Sequence, residues 1–153
     1  VPNPHAPGDS RLTSLLVVSD ELYALRQGVT DSELMFLLAI QYGLTDDPVA
    51  ALRKVMAFIV AQARAKELQP LIRFTTCLSD GRNMHAIRFA TDAHPPSLYY
   101  AKCGKDGSIC LVSEPFEHPE RDWTPVPPNT WLHIVSGNLT LQEFMPGQAH
   151  AAA

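Results

Sequence analysis

The chain has 153 residues, 46% of them hydrophobic and 18% charged, the balance of a single globular domain able to bury about two-thirds of its unfolded surface. A formal net charge of −4, with no basic patch and no internal repeat, gives no general attraction to nucleic acid or anionic lipid. No run of about eighteen apolar residues exists, so nothing in the sequence reads as a membrane-spanning helix.

Residues Val1 to Asp9 hold three prolines and a glycine and read as an irregular lead-in without the basic-then-apolar pattern of a secretory signal. From Ser10 to Leu25, the leucines at 12, 15, 16, 22 and 25 fit a helix interrupted near Ser19-Asp20. Gly28 breaks the chain. Thr30 and Glu33 then stand in the S/T-x-x-E relation of a capping box, in which a hydroxyl and a carboxylate satisfy free N–H groups at a helix start. Asp31 is not needed for that motif. In the first turn, near the positive helix end, it is either extra capping or a receptor for an ammonium group.

The helix predicted from Asp31 to Tyr42 is apolar on nearly every side, as for a helix buried on more than one face. A second has Asp47 as cap, Pro48 as first residue and apolar positions at three- and four-residue steps from Leu52 to Ala63, ending near Leu68. Beyond Pro70 the pattern changes to strands. Leu71–Ser79 and Asn83–Ala90 form a hairpin through Asp80-Gly81. Ser97–Lys102 pairs with Ile109–Val112 around Lys105-Asp106-Gly107, and Thr130–Ser136 with Leu139–Phe144 at Gly137-Asn138. Glu114 to Asn129 carries five of the thirteen prolines and reads as loop. Helices followed by hairpins predict an α+β fold, a helical layer on an antiparallel sheet.

Chemically, the residues offer little that is complete. Cys77, Cys103 and Cys110 are odd in number and irregularly spaced, as for reduced thiols of a cytoplasmic protein, and any approach of Cys103 to Cys110 across their turn reads as accidental. Cys77 reads as a buried, inert thiol, although His85 across the hairpin offers it a base. The six histidines are scattered, so no metal site is expected. Trp123 and Trp131 read as sheet-packing anchors, Asp80 as a turn residue, and Asp92-Ala93-His94 as a chance fragment of a charge relay. Ser113-Glu114-Pro115 ends a strand and opens the proline-rich loop, where it either lines a cleft or caps the strand.

Asp20-Glu21-Leu22-Tyr23, Gly28 through Glu33, Leu78 through Gly81, Ile87 through Ala90, Ser97 through Tyr100, Val112 through Pro115, and Trp123 with Val126-Pro127 occur in this order. From about Ser10 to Phe144 this set resembles the C-terminal half of class II glutamine amidotransferases, the N-terminal-nucleophile hydrolases. The subgroup it is most similar to is the single-domain γ-glutamyl amidohydrolases, including those of the ergothioneine pathway. The resemblance implies part of an αββα sandwich over residues 10–145, with 146–153 as a tail. It also implies that Asp31 binds the α-amino group of glutamine or a γ-glutamyl substrate, that Thr30 and Ser32 shape the same wall, and that Ser113 and Glu114 lie near the cleft. Glu33 is then structural, and no cofactor is implied.

The family nucleophile is an N-terminal cysteine, whereas this sequence starts at Val1; the substrate-gripping arginine and the Asn-Gly oxyanion pair also have no match. No catalytic residue is therefore assigned. The expected function is that of one part of an amidohydrolase for γ-glutamyl amides, with the nucleophile half on a partner chain or upstream segment. The alternative is a non-catalytic degenerate domain that binds γ-glutamyl compounds or scaffolds a partner. An open sheet edge in such a half-sandwich makes a partner chain or homo-oligomer an expectation.

Overall fold

A computed structural model describes residues 18–92, 94–104, 107–116 and 122–146. The proposed lead-in, the helical pattern before Val18, the turn tip at Lys105-Asp106, the loop segment 117–121 and the tail beyond Pro146 lie outside the described residues. Two compact units divide the chain, one running to Pro70 and joined by the residues from Pro146, the other Leu71–Met145.

Helices belong to the first unit. Helix α1, Asp20–Tyr23, starts where the interruption was expected, because the Ser19 hydroxyl accepts the Leu22 amide. The Ser19 amide donates to Gln41 Oε1 at 2.8 Å, tying this turn to the end of the next helix. That helix, α2, spans Asp31–Gln41 and buries Leu34, Met35, Leu37, Leu38 and Ala39. It stops at Gly43, whose φ of +91° suits glycine; the Gly43 and Leu44 amides return to Ile40 and Ala39.

Helix α3, Pro48–Ala65, begins as the sequence indicates: Asp47 Oδ1 accepts from the Val49 and Ala50 amides, and Pro48 needs no partner there. It ends three residues before Leu68. Glu67 turns to a φ of 56°, and the Leu68 amide closes back on Ala63. Tyr42 and Phe58 meet edge to face at 6.4 Å between α2 and α3.

Among the described residues, the regular elements of the second unit are antiparallel strands. β1 (Arg73–Ser79), β2 (Asn83–Ala90), β6 (Thr130–Val135) and β7 (Asn138–Glu143) form one sheet in the order β1-β2-β6-β7. β4 (Ser108–Val112), β3 (Tyr99–Cys103) and β5 (Thr124–Pro125) form a second, ordered β4-β3-β5. Ala86, Leu132, Leu98 and Val126 make a buried cluster from both sheets, with Tyr100, Leu111, Ile134 and Leu139 packed around it. The chain is thus α+β, with helices in one unit and antiparallel sheets in the other.

Three strand expectations are corrected. The last hairpin turns at Ser136-Gly137, one residue early, because both take positive φ (48° and 76°) as a two-residue turn of the right twist demands. The proline-rich segment is not wholly loop: Thr124 and Pro125 pair with Tyr100 and Tyr99, and an edge position tolerates a proline without an N–H. The hairpin of β1 and β2 pairs Ser79 with Met84, so its loop is longer than Asp80-Gly81. Among the described residues, no helix is long and apolar enough to cross a membrane.

Candidate functional site

The start of α2 is built by Thr30 and Glu33. The Thr30 hydroxyl accepts the Glu33 amide at 3.3 Å, as a cap should. The Glu33 carboxylate, however, passes over the cap. It accepts from the Gln27 amide at 2.7 Å and from the Gly28 amide at 2.8 Å. The reciprocal capping box is corrected to a carboxylate clamp on the preceding loop. Two consecutive amides facing one carboxylate offer it a bidentate grip, which is stronger than the single bond of the box. This fixes the approach to Thr30, Asp31 and Ser32. Thr30 and Ser32 are exposed, and Asp31 is half-buried as the first helical residue. Asp31 is itself engaged in a polar or electrostatic interaction.

Ser113 and Glu114 lie in the other unit, exposed, immediately after β4. Glu114 Oε1 accepts the Ser97 hydroxyl at 2.9 Å, bridging the end of β4 to the segment entering β3. Behind Ser97, the half-buried Arg88 of β2 donates from Nε to Pro96 O at 2.8 Å, from Nη2 to Pro95 O at 3.3 Å, and from Nη1 to Val126 O. Thr75 adds a hydroxyl bond to the same Pro96 carbonyl. The Arg88 and Ser97 contacts are not legible in the sequence, because Glu114 lies seventeen positions after Ser97 and no local pattern spans that distance.

The remaining candidates sort as follows. Cys77 pairs with Ala86, and its neighbour Leu78 with His85, so Cys77 and His85 project from opposite faces of the sheet and cannot act together. Cys77 is exposed rather than buried, yet partial desolvation pushes its thiol pKa up, away from the reactive thiolate. His85 Nδ1 instead accepts from Trp131 Nε1 at 3.2 Å, and its ring stacks on His133 at 4.4 Å. Trp131 is buried on β6 as expected. Trp123 is not a sheet anchor, since it packs edge-on against Phe116 and donates to that residue's carbonyl.

Asp92 serves Arg73 through a bond of 2.8 Å and holds the His94 amide, which accounts for Asp92 without a charge relay. Asp80 accepts from the Asn83 amide, the Asn83 side chain and the Arg82 amide, which hold its pKa far below the usual carboxylate range. Cys103 and Cys110 form a disulfide, correcting the expectation of reduced thiols in accidental proximity. Their diagonal positions on paired strands leave the Cα atoms 5.9 Å apart, within bridging range. Among the described residues, no group of three or more His, Cys, Asp or Glu side chains could hold a metal ion.

The solved structure of a glutamine aminotransferase class-II domain protein from Silicibacter pomeroyi matches this chain with a TM-score of 0.78 and 34% identity. The match covers 90% of this chain and 61% of that one. The likeness supports the class II glutamine amidotransferase family. No protein-family model and no curated protein matches the chain. The chain spans less than two-thirds of the length of this solved relative.

Proposed function

We propose that the chain is the substrate-binding part of an N-terminal-nucleophile amidohydrolase acting on γ-glutamyl amides, the nucleophile being supplied by protein outside this sequence. The observation that carries this reading is the division of roles at the start of α2. Thr30 caps the helix and Glu33 clamps the loop, so neither structural task falls to Asp31. A carboxylate in a first helical turn is a ready acceptor and suits an α-ammonium group. A ligand ammonium would join or replace the interaction Asp31 already makes. Thr30, the cap residue, and Ser32, in the first turn of α2, flank it next to the loop that Glu33 clamps, and Ser113 and Glu114 of the other unit are proposed as further substrate-binding residues.

The reaction runs through attack of a thiolate on the γ-carboxamide carbon. The C–N bond breaks, the amine leaves with a proton, and a thioester remains. Water then releases glutamate and the thiol. Acyl transfer draws its largest contributions from the thiolate, its base and the oxyanion donors, and none of these roles is assigned to a residue of this sequence. Adding a nucleophile-bearing segment of a class II amidotransferase should restore ammonia release from L-glutamine. Glutamine binding without restored turnover would instead support the non-catalytic binder. Neither binding nor turnover would overturn both readings.

A further inference from the structure

The candidate wall at Ser113-Glu114 has a support that begins at the half-buried Arg88 of β2. Arg88 is a guanidinium whose bonds go to three backbone carbonyls, those of Pro95, Pro96 and Val126. Two of these lie in the segment just ahead of Ser97, and the third follows β5. Val126 in turn donates its amide to Leu98 O at 2.9 Å, so both flanks of the Ser97 segment are fixed to one network. The planar fork of an arginine can hold several carbonyls at set angles, which a lysine cannot do. Ser97, the residue after the pinned Pro96, then donates its hydroxyl to Glu114 Oε1.

We propose that Arg88 and Ser97 are positioning residues for Glu114: Arg88 pins the Pro95-Pro96 segment, which places the Ser97 hydroxyl, which orients the Glu114 carboxylate. Glu114 is an exposed residue beyond the end of β4, and an unrestrained glutamate there would sample several rotamers. With Oε1 committed to Ser97, Oε2 is presented in one direction as an acceptor for an N–H donor. Under the proposed function, that donor is the amide nitrogen of a γ-glutamyl compound. This last step rests on the assignment of Ser113-Glu114 to the cleft, whereas the relay itself rests only on the bonds described.

The test uses the intact chain with its glutamate carboxyl carbons labelled with 13C, and reads the Glu114 resonance by NMR. Ser97→Ala and Arg88→Met should both move that resonance, although residue 88 does not touch Glu114, and Ser97→Thr should return it to the wild-type position. A folded Arg88→Met with an unmoved Glu114 resonance overturns the relay. If Arg88→Met does not fold, Ser97→Ala decides, and an unmoved resonance overturns the proposal. Calorimetry with L-glutamine on the same proteins separates the two claims. A roughly 3- to 10-fold loss of affinity in Ser97→Ala, restored in Ser97→Thr, supports the role at the ligand. Altered resonances with unchanged or absent glutamine binding overturn the cleft assignment and leave the relay standing.

Discussion

The Gly28 backbone and the Glu33 carboxylate approach each other too closely to leave room for a side chain at residue 28 without a shift. Glu33 Oε2 accepts the Gly28 amide at 2.8 Å, and a Cβ on residue 28 would come within 2.9 Å of that same oxygen. A side chain at residue 28 would force the Glu33 carboxylate to shift from this position. Gly28→Ala should push the Glu33 side chain aside and weaken the clamp, costing about 1–2 kcal/mol. Glu33→Gln should cost a similar amount, because an amide offers only one oxygen to the two backbone donors. Urea unfolding of both variants, and of the pair together, checks this. The double variant should be far less than additive, since both changes remove the same contact.

The disulfide predicts that Cys77 is the only thiol detected in the denatured, unreduced chain. Reduction should destabilise the hairpin of β3 and β4 by roughly 2–3 kcal/mol, from the loop that the bond closes. That corresponds to a fall in melting temperature of about 5–10 °C on adding reductant. A Cys103→Ser variant should show the lower temperature with or without reductant. Three reactive thiols in the untreated denatured chain would contradict the bond.

Cys77 should label slowly for an exposed residue. Its thiol pKa lies above the ordinary value because its surroundings partly desolvate the thiolate. Iodoacetamide should therefore react more slowly at neutral pH than with free cysteine and catch up as pH rises. Fast labelling at neutral pH would mean an activating group near the sulfur, against the opposite-face placement of His85.

Asp80 gives the turn of β1 and β2 an acid-sensitive element. Its folded pKa is lowered by the Asn83 amide, the Asn83 side chain and the Arg82 amide, in that order. A lowered folded pKa means that the group's contribution is fully present above the unfolded value of about 4 and is lost as pH falls below it toward the folded one. Melting temperature against pH should decline over that acid range. Asp80→Asn should be less stable than wild type at pH 7 and should decline less steeply. Parallel curves would show that the turn is not the titrating element.

The parts of the fold readable from sequence are those set by neighbours. Asp47-Pro48 fixed the start of α3 because cap and first residue are adjacent, and Asn83–Ala90 was legible from alternation. The reach of Glu33 to Gln27 was not legible, because the motif suggests a shorter return. β5 escaped notice because two residues, one a proline, carry no period. The disulfide and the bond from Ser97 to Glu114 depend on strand pairing, which aligns residues that the sequence leaves apart. Of the candidate site, the order of residues 28–33 was visible; the second-sheet network that supports Glu114 arises only on folding.

The central claim is that Asp31 receives the ammonium of a γ-glutamyl ligand, and calorimetry on wild type and Asp31→Ala tests it most directly. L-Glutamine should bind wild type and lose about 30-fold or more in affinity in Asp31→Ala, the effect of roughly 2 kcal/mol for a charge-assisted bond. Its analogue lacking the α-amino group should bind both proteins equally weakly. Equal affinity of wild type and Asp31→Ala for L-glutamine would contradict the account.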